Sequence, residues 1–215
     1  MKKKKKVSIA EKVLSILTIQ YEVKPFLHFS TPWELLVATI LSAQCTDLRV
    51  NQVTPSLFLF IPTPKHASMV TPGQIETYIQ SVNYYHTKAQ RLHENGVLIE
   101  KNFQGFVPSS MEELITLKGV GRKTANVVLA QAFHIAQGVA VDTHVSRLSK
   151  RLGWAHSDMN PIEIEKVLMN LFPSNQWETI SILLIHHGRF ICKARKPLCQ
   201  KCAIRDLCPS QIPNI

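Results

Sequence analysis

Apolar residues recur along this chain mostly at helical spacing, and strand-like alternation is scarce. The pattern predicts an all-α protein. Helix starts are well marked. Thr31-Pro32-Trp33-Glu34 sets a hydroxyl N-cap, a proline at the first helical position and a glutamate at the third. The stretch that follows, Leu35 to Ala43, is apolar almost all round and predicts a central buried helix. Ser109-Ser110-Met111-Glu112, Asn160-Pro161-Ile162-Glu163 and Asn175-Gln176-Trp177-Glu178 open further helices. Other helical patterns fall near 46–60, 74–82, 86–101, 122–136 and 143–152. Pro62, Pro64, Pro72 and Pro108 read as parts of connecting segments. There is no internal repeat. The lysine run Lys2 to Lys6 reads as part of a disordered basic tail over 1–7, ahead of an amphipathic helix.

Composition adds size and charge to this picture. With 215 residues, 45% of them apolar, the chain can bury the core of one large domain or two small lobes. Net charge is +10, and setting aside the five lysines of the run leaves the body at +5. A basic excess suits a polyanion partner, because neutralising phosphates releases counterions. Solubility alone would explain it equally well. Val7 to Ile19 is broken by Glu11 and Lys12, so no signal-peptide core follows the lysines. No apolar stretch is long enough to span a membrane. The expected compartment is the cytoplasm, on the nucleoid, or the nucleus if the source has one.

Chemistry concentrates first in Leu117-Lys118-Gly119-Val120-Gly121-Arg122-Lys123. A short helix, Met111 to Leu117, enters a turn with two glycines and leaves as a longer helix. That helix carries Ala125, Val128, Leu129, Ala132 and Ile135 on one face. Glycines permit positive φ and leave backbone N–H groups uncovered. At a helix N-terminus such donors can receive a phosphate oxygen. A plain C-cap glycine between two core helices is the simpler reading. Against it, Arg122 and Lys123 occupy the first turn, where the helix dipole disfavours cations and an arriving anion would relieve the conflict. Asp142 follows, after Val139-Ala140-Val141. It reads first as the N-cap of a helix carrying Val145, Leu148 and Leu152. A capping carboxylate stays ionised and oriented, so the cap does not exclude chemistry.

Cysteines supply the second concentration. Cys192-x6-Cys199-x2-Cys202-x5-Cys208 places four thiols in seventeen residues, and Cys45 stands apart as a packing residue. In a reducing compartment such a group is a metal site rather than a disulfide framework. Four thiolates suit either zinc or a [4Fe–4S] cluster. Nine histidines are scattered and read as packing or hydrogen-bonding groups.

Taken together, the hairpin, Lys123, Val141-Asp142-Thr143-His144 and the four cysteines resemble the endonuclease III family of helix-hairpin-helix DNA glycosylases. The likeness runs from about Ile9 to Cys208. Leu41-Ser42-Ala43-Gln44 and His187-Gly188-Arg189 are similar too. The resemblance implies two helical lobes with duplex DNA bound in a cleft between them. One lobe, 25–136, holds the hairpin; the other joins 1–24 to 137–215. It chooses [4Fe–4S] over zinc for Cys192, Cys199, Cys202 and Cys208, and implies a monomer. It makes Lys123 the amine that attacks the sugar C1′ of an oxidised pyrimidine nucleotide. Asp142 then assists, and a Schiff base collapses by β-elimination at the abasic site. Gln44 matches the residue that fills the gap left by a flipped nucleotide, and Tyr84 matches a second wedge that is usually aliphatic. Gly119, Gly121 and Arg122 form the candidate phosphate seat, and His144, two residues past Asp142, is a candidate second contact to Asp142 or to a phosphate. Lys193, Arg195 and Lys196 form a basic loop suited to backbone phosphates.

Several departures stand out. Asn83 replaces a common glycine, Lys118 replaces the hairpin proline, and one extra residue lies between Lys123 and Asp142, in the loop His134 to Gly138. Two other functions compete. A monofunctional adenine glycosylase of the same superfamily usually lacks the lysine and carries a further C-terminal domain. A non-enzymatic DNA-binding module would need neither Lys123 nor Asp142.

Overall fold

The computed structural model describes residues 2–210, with side chains from Val7 onward. Every regular element among the described residues is helical. In chain order these are α1 (Lys2–Gln20), α2 (Pro32–Ser42), α3 (Asp47–Phe60), α4 (Pro64–Met69), α5 (Pro72–Ile79) and α6 (Tyr85–Phe103). There follow α7 (Met111–Leu114), α8 (Arg122–Phe133), α9 (Thr143–Arg151), α10 (Pro161–Leu171) and α11 (Trp177–Phe190). Short 3-10 turns lie at Ser174–Gln176, Cys199–Lys201 and Arg205–Leu207. The chain divides into two compact units, Pro25–Ile135 and the combination of Met1–Lys24 with Ala136–Ile215.

Within the Pro25–Ile135 unit, α2 is the central helix. Thr31 accepts from the Glu34 N–H and Pro32 opens the first turn, so the helix starts where its cap dictates. Trp33 and Leu35 to Leu41 are all buried, and the helix packs on α3 and α8. Each buried leucine there contributes roughly 1.5–3 kcal/mol relative to exposure. A second layer sets α4 and α5 against α6. Gly96 permits it, since a Cβ there would stand 2.7 Å from the Pro64 carbonyl oxygen and 2.8 Å from the Ser68 nitrogen.

In the other unit, α1 buries Ala10, Val13, Leu14 and Leu17, a helical stripe facing α10 and α11. Asn160 opens α10 with a reciprocal capping box to Glu163. The helices α9 and α11 pack closely at Gly188, where a Cβ would lie 2.8 Å from His144 Nδ1.

Four expectations are corrected. The lysine run is no tail: α1 begins at Lys2. Lysine is a good helix former, and the turns it supplies are continuous with a stripe that packs. Met1 lies outside the described residues. Pro64 and Pro72 are not linker residues but first-turn prolines of α4 and α5, capped by Thr63 and Thr71. There the missing N–H costs nothing. Asn175 caps no helix; it sits inside a 3-10 turn that leads into α11 without a side-chain cap. Finally, the helix expected to reach Leu117 stops at Leu114 and unwinds through turns.

Candidate functional site

The glycine hairpin is built on α7 and α8 and pinned from α6. Only Gly119 needs its freedom, with φ at +77°, whereas Gly121 has φ at −101°. The turn closes through the Val120 N–H to the Leu117 carbonyl at 3.2 Å. Asn95, fully buried on α6, holds both backbone groups of Lys118. Its Nδ2 donates to the Lys118 carbonyl at 3.0 Å, and its Oδ1 accepts from the Lys118 N–H at 2.6 Å. The sequence reading missed Asn95. Its signal was a lone amide on the apolar stripe of α6, where a buried polar group must find partners.

Gly121 is the N-cap of α8 and supplies no side chain to receive the first N–H groups. Nothing lies within 4 Å of where its Cβ would stand. Donors open to solvent at the positive end of a helix form a seat for an anion. Arg122 and Lys123 are exposed in that first turn, which holds no acidic residue. Ala125, Asn126, Val128 and Leu129 bury the opposite side. Lys123 therefore lies on the exposed side of a helix whose opposite side is packed.

Gln44 and Tyr84 both adopt left-handed backbone, with φ at 54° and 59°. Gln44 follows α2, Tyr84 precedes α6, and both are exposed. The two turns meet: Asn83 Nδ2 donates to the Gln44 carbonyl at 2.7 Å. Lys88, only 2% exposed, donates from Nζ to the carbonyls of Leu41 and Ala43 at 2.8 and 2.7 Å. Burial lowers its pKa from the ordinary lysine value. Lys88 was also missed, although a lysine in register with Ala89, Leu92 and Asn95 marks a charge on a buried stripe.

Asp142 lies in the other unit. It is the N-cap of α9, its Oδ1 accepting from the Val145 N–H at 2.8 Å. The segment before it is anchored by buried Val139 and Val141 and by Ser181 Oγ, which donates to the Ala140 carbonyl at 2.7 Å. His144 Nδ1 lies 3.2 Å from Arg147 Nη2.

Cys192, Cys199, Cys202 and Cys208 line one pocket of about 470 Å³, counting its open mouth. Leu148, Leu152, Ile191, Ile204 and Arg151 share its wall. As it stands, no group of three or more His, Cys, Asp or Glu among the described residues is arranged to hold a metal ion. The donor chemistry nevertheless fits a thiolate-bound group. Burial, then the charges of the other three cysteines, push the Cys202 thiol up to about 11, and burial with the charges of Cys192 and Cys199 raises Cys208. Four thiols sharing an apolar pocket ionise together only around a positive centre. His187 is buried between Tyr21 Oη, 3.0 Å from its Nδ1, and Cys202 Sγ, 3.3 Å from its Nε2. Burial pushes its pKa down to about 4.

The first cysteine begins the basic loop, in which Lys193, Arg195 and Lys196 are exposed. Arg151 donates to the carbonyls of Lys193 and Ala194 at 2.7 and 2.9 Å. Arg147 donates to the carbonyls of Cys192 and Gly188 at 3.0 and 2.9 Å. Leu198 N–H closes the loop on the Ile191 carbonyl at 2.9 Å.

Residues 37–174 match the HhH-GPD superfamily base excision DNA repair protein family. The chain is 49% identical over 211 residues to endonuclease III of Synechocystis sp., covering 96% of each. It is 40% identical over 203 residues to endonuclease III of Escherichia coli K12, covering 92% of this chain and 94% of the relative. The fold superimposes with a TM-score of 0.90 on a trapped endonuclease III–DNA covalent intermediate, at 38% identity, covering 95% of this chain and 96% of that one. A thermostable thymine-DNA glycosylase shares the fold with a TM-score of 0.84 at 23% identity, covering 97% of this chain and 96% of that one.

Proposed function

The chain belongs to the HhH-GPD superfamily of base excision DNA repair proteins, and on that premise we propose that it works as an endonuclease III, a DNA glycosylase that also cuts abasic sites. The observation that carries this reading is Lys123. It is an exposed amine in the first turn of α8, beside an open anion seat at Gly121.

The seat receives a backbone phosphate of duplex DNA through the first N–H groups of α8, and Arg122 adds charge there. The damaged nucleotide, an oxidised pyrimidine, leaves the stack, and Gln44 and Tyr84 fill the gap. The Lys123 amine attacks C1′, and the base departs with the electron pair of its bond and a proton. Asp142, fixed by its cap, stabilises the positive charge that develops at C1′ and assists the proton transfer. The aminosugar ring opens to an imine between Lys123 and C1′. Loss of the C2′ proton then expels the 3′-phosphate with its bonding electrons, which cuts the strand. Water releases the sugar and restores the amine.

Cys192, Cys199, Cys202 and Cys208 would hold a [4Fe–4S] cluster, which when bound fixes the surrounding loop. The loop's Lys193, Arg195 and Lys196, with His144, face further phosphates. The enzyme acts as a monomer, in the compartment that holds the DNA. No helix among the described residues is long and apolar enough to cross a membrane.

Borohydride reduction during reaction with abasic-site DNA tests the reading. The parent protein is expected to form a covalent adduct, and Lys123→Ala is expected to lose it by roughly 10³-fold or more. Undiminished trapping by Lys123→Ala would overturn the assignment of the nucleophile.

A further inference from the structure

The end of α2 and the start of α6 are joined by side chains that the repair chemistry does not use. Three backbone carbonyls leave the last turn of α2 and the residues after it: Leu41, Ala43 and Gln44. Two side chains from across the gap receive them, Lys88 Nζ at 2.8 and 2.7 Å and Asn83 Nδ2 at 2.7 Å. A cation at a helix C-terminus satisfies orphan carbonyls and complements the dipole. Here it is buried, which makes the two bonds charge-assisted in a medium that weakens them little.

The clamp ties together the turns that carry Gln44 and Tyr84. Gln44 and Tyr84 are both in left-handed backbone, which costs a residue with a side chain roughly 1–2 kcal/mol. Tyr84 also leaves 64% of its surface in water. Neither side chain makes a hydrogen bond or ring contact with the described residues. Strain maintained on two adjoining turns, with their side chains left unengaged, points to a ligand rather than to packing.

We infer that Asn83 and Lys88 are positioning residues that lock Gln44 and Tyr84 into a single rigid two-residue probe for the DNA stack. Asn83 is the specific link, because its amide ties the turn bearing Tyr84 directly to the backbone of Gln44. The amide hydrogens must donate; a carboxylate in the same place sets two oxygens against each other. The inference rests on the repair reading and adds to it the device that sets the geometry of strand entry. An amide tether and a stacking tyrosine together give a probe that unstacks paired nucleotides and has nothing to displace in a single strand.

Asn83→Asp and Asn83→Ala test this in the holoprotein. Two substrates are compared, an oxidised pyrimidine in a duplex and an abasic site in a single strand. A 2-aminopurine opposite the duplex lesion reports unstacking by its fluorescence. The expected result is about a tenfold loss of kcat on the duplex and a reduced fluorescence rise, with single-strand cleavage unchanged. Asn83→Asp is expected to be the worse of the two, and Asn83→His, which can still donate, to recover part of the loss. Equal loss on both substrates would make Asn83 merely structural and overturn the inference. So would a fluorescence rise equal to the parent's. In both cases trapping through Lys123 would persist, so the repair reading would survive. A parent protein with no activity on either substrate would sink both.

Discussion

Two basic turns of this protein are held by opposite means. The hairpin at Lys118 to Lys123 is pinned by a neutral amide, Asn95, buried in an apolar layer. The loop from Cys192 to Lys196 is pinned by cations, Arg147 on the Cys192 carbonyl and Arg151 on those of Lys193 and Ala194. The first turn sits on complete helices. The second leads into a segment whose only regular elements are two 3-10 turns. A neutral pin in a packed core needs nothing more. Two arginines bonded to a loop with three exposed basic side chains bring like charges together, and negative charge close by would offset them. Four cysteines line the adjoining pocket, and as thiolates around a cluster they would supply it. The hairpin is thus held by packing, and the proposed ligation would hold the loop.

Breaking the ligation should give the largest effect. Cys202→Ser is expected to lose bound iron and the broad visible absorption of a cluster. It should also open 192–210 to protease, while trapping chemistry at the hairpin survives at reduced DNA affinity. Iron content by mass analysis and limited proteolysis check this. Wild-type iron content in the variant, or equal digestion of both units, would break the contrast.

The pin of the hairpin comes next. Asn95→Ala removes both partners of the Lys118 backbone in a part-buried place, a loss of about 0.5–1.5 kcal/mol per bond. Urea unfolding is expected to show the loss in the Pro25–Ile135 unit, with iron retained. If iron is lost in parallel, the two turns are not independently held.

Much of this was legible in the chain. Thr31, Ser110 and Asn160 were readable as caps because a short polar side chain before a helical pattern has one obvious use. Asp142 was readable as the cap of α9 for the same reason. Pro64 and Pro72 misled, because a proline in a short segment looks the same in a linker and in a first turn. Only α6, packing across α4 and α5, makes those segments helical. Left-handed backbone at Gln44 and Tyr84 could not be read, since neither residue favours it and a long-range clamp enforces it. The glycines stood out in the sequence, yet their roles did not, because both read alike until φ is known.

That difference between the glycines gives the finest test of the hairpin. Gly119 has φ at +77°, and a Cβ there would press to 2.9 Å from Arg91 Cδ. Gly119→Ala should therefore destabilise by about 1–2 kcal/mol, most of it backbone strain, since the arginine can move aside. Gly121 has φ at −101° and open space where a Cβ would stand. Gly121→Ala should cost roughly 0.5–1 kcal/mol as a poorer N-cap, offset by a similar gain from a more restricted unfolded chain. Stability then stays near the parent's. DNA affinity should not, because the new methyl group stands in the open space that a phosphate at this helix end would take. Loss of one phosphate contact lowers the salt dependence of binding by about one unit of slope and weakens all sequences alike. Thermal unfolding and binding titrations across salt concentration separate the two variants. Equal destabilisation by both would mean the space at Gly121 is not open. An unchanged salt slope for Gly121→Ala would mean the hairpin joins helices and seats no phosphate.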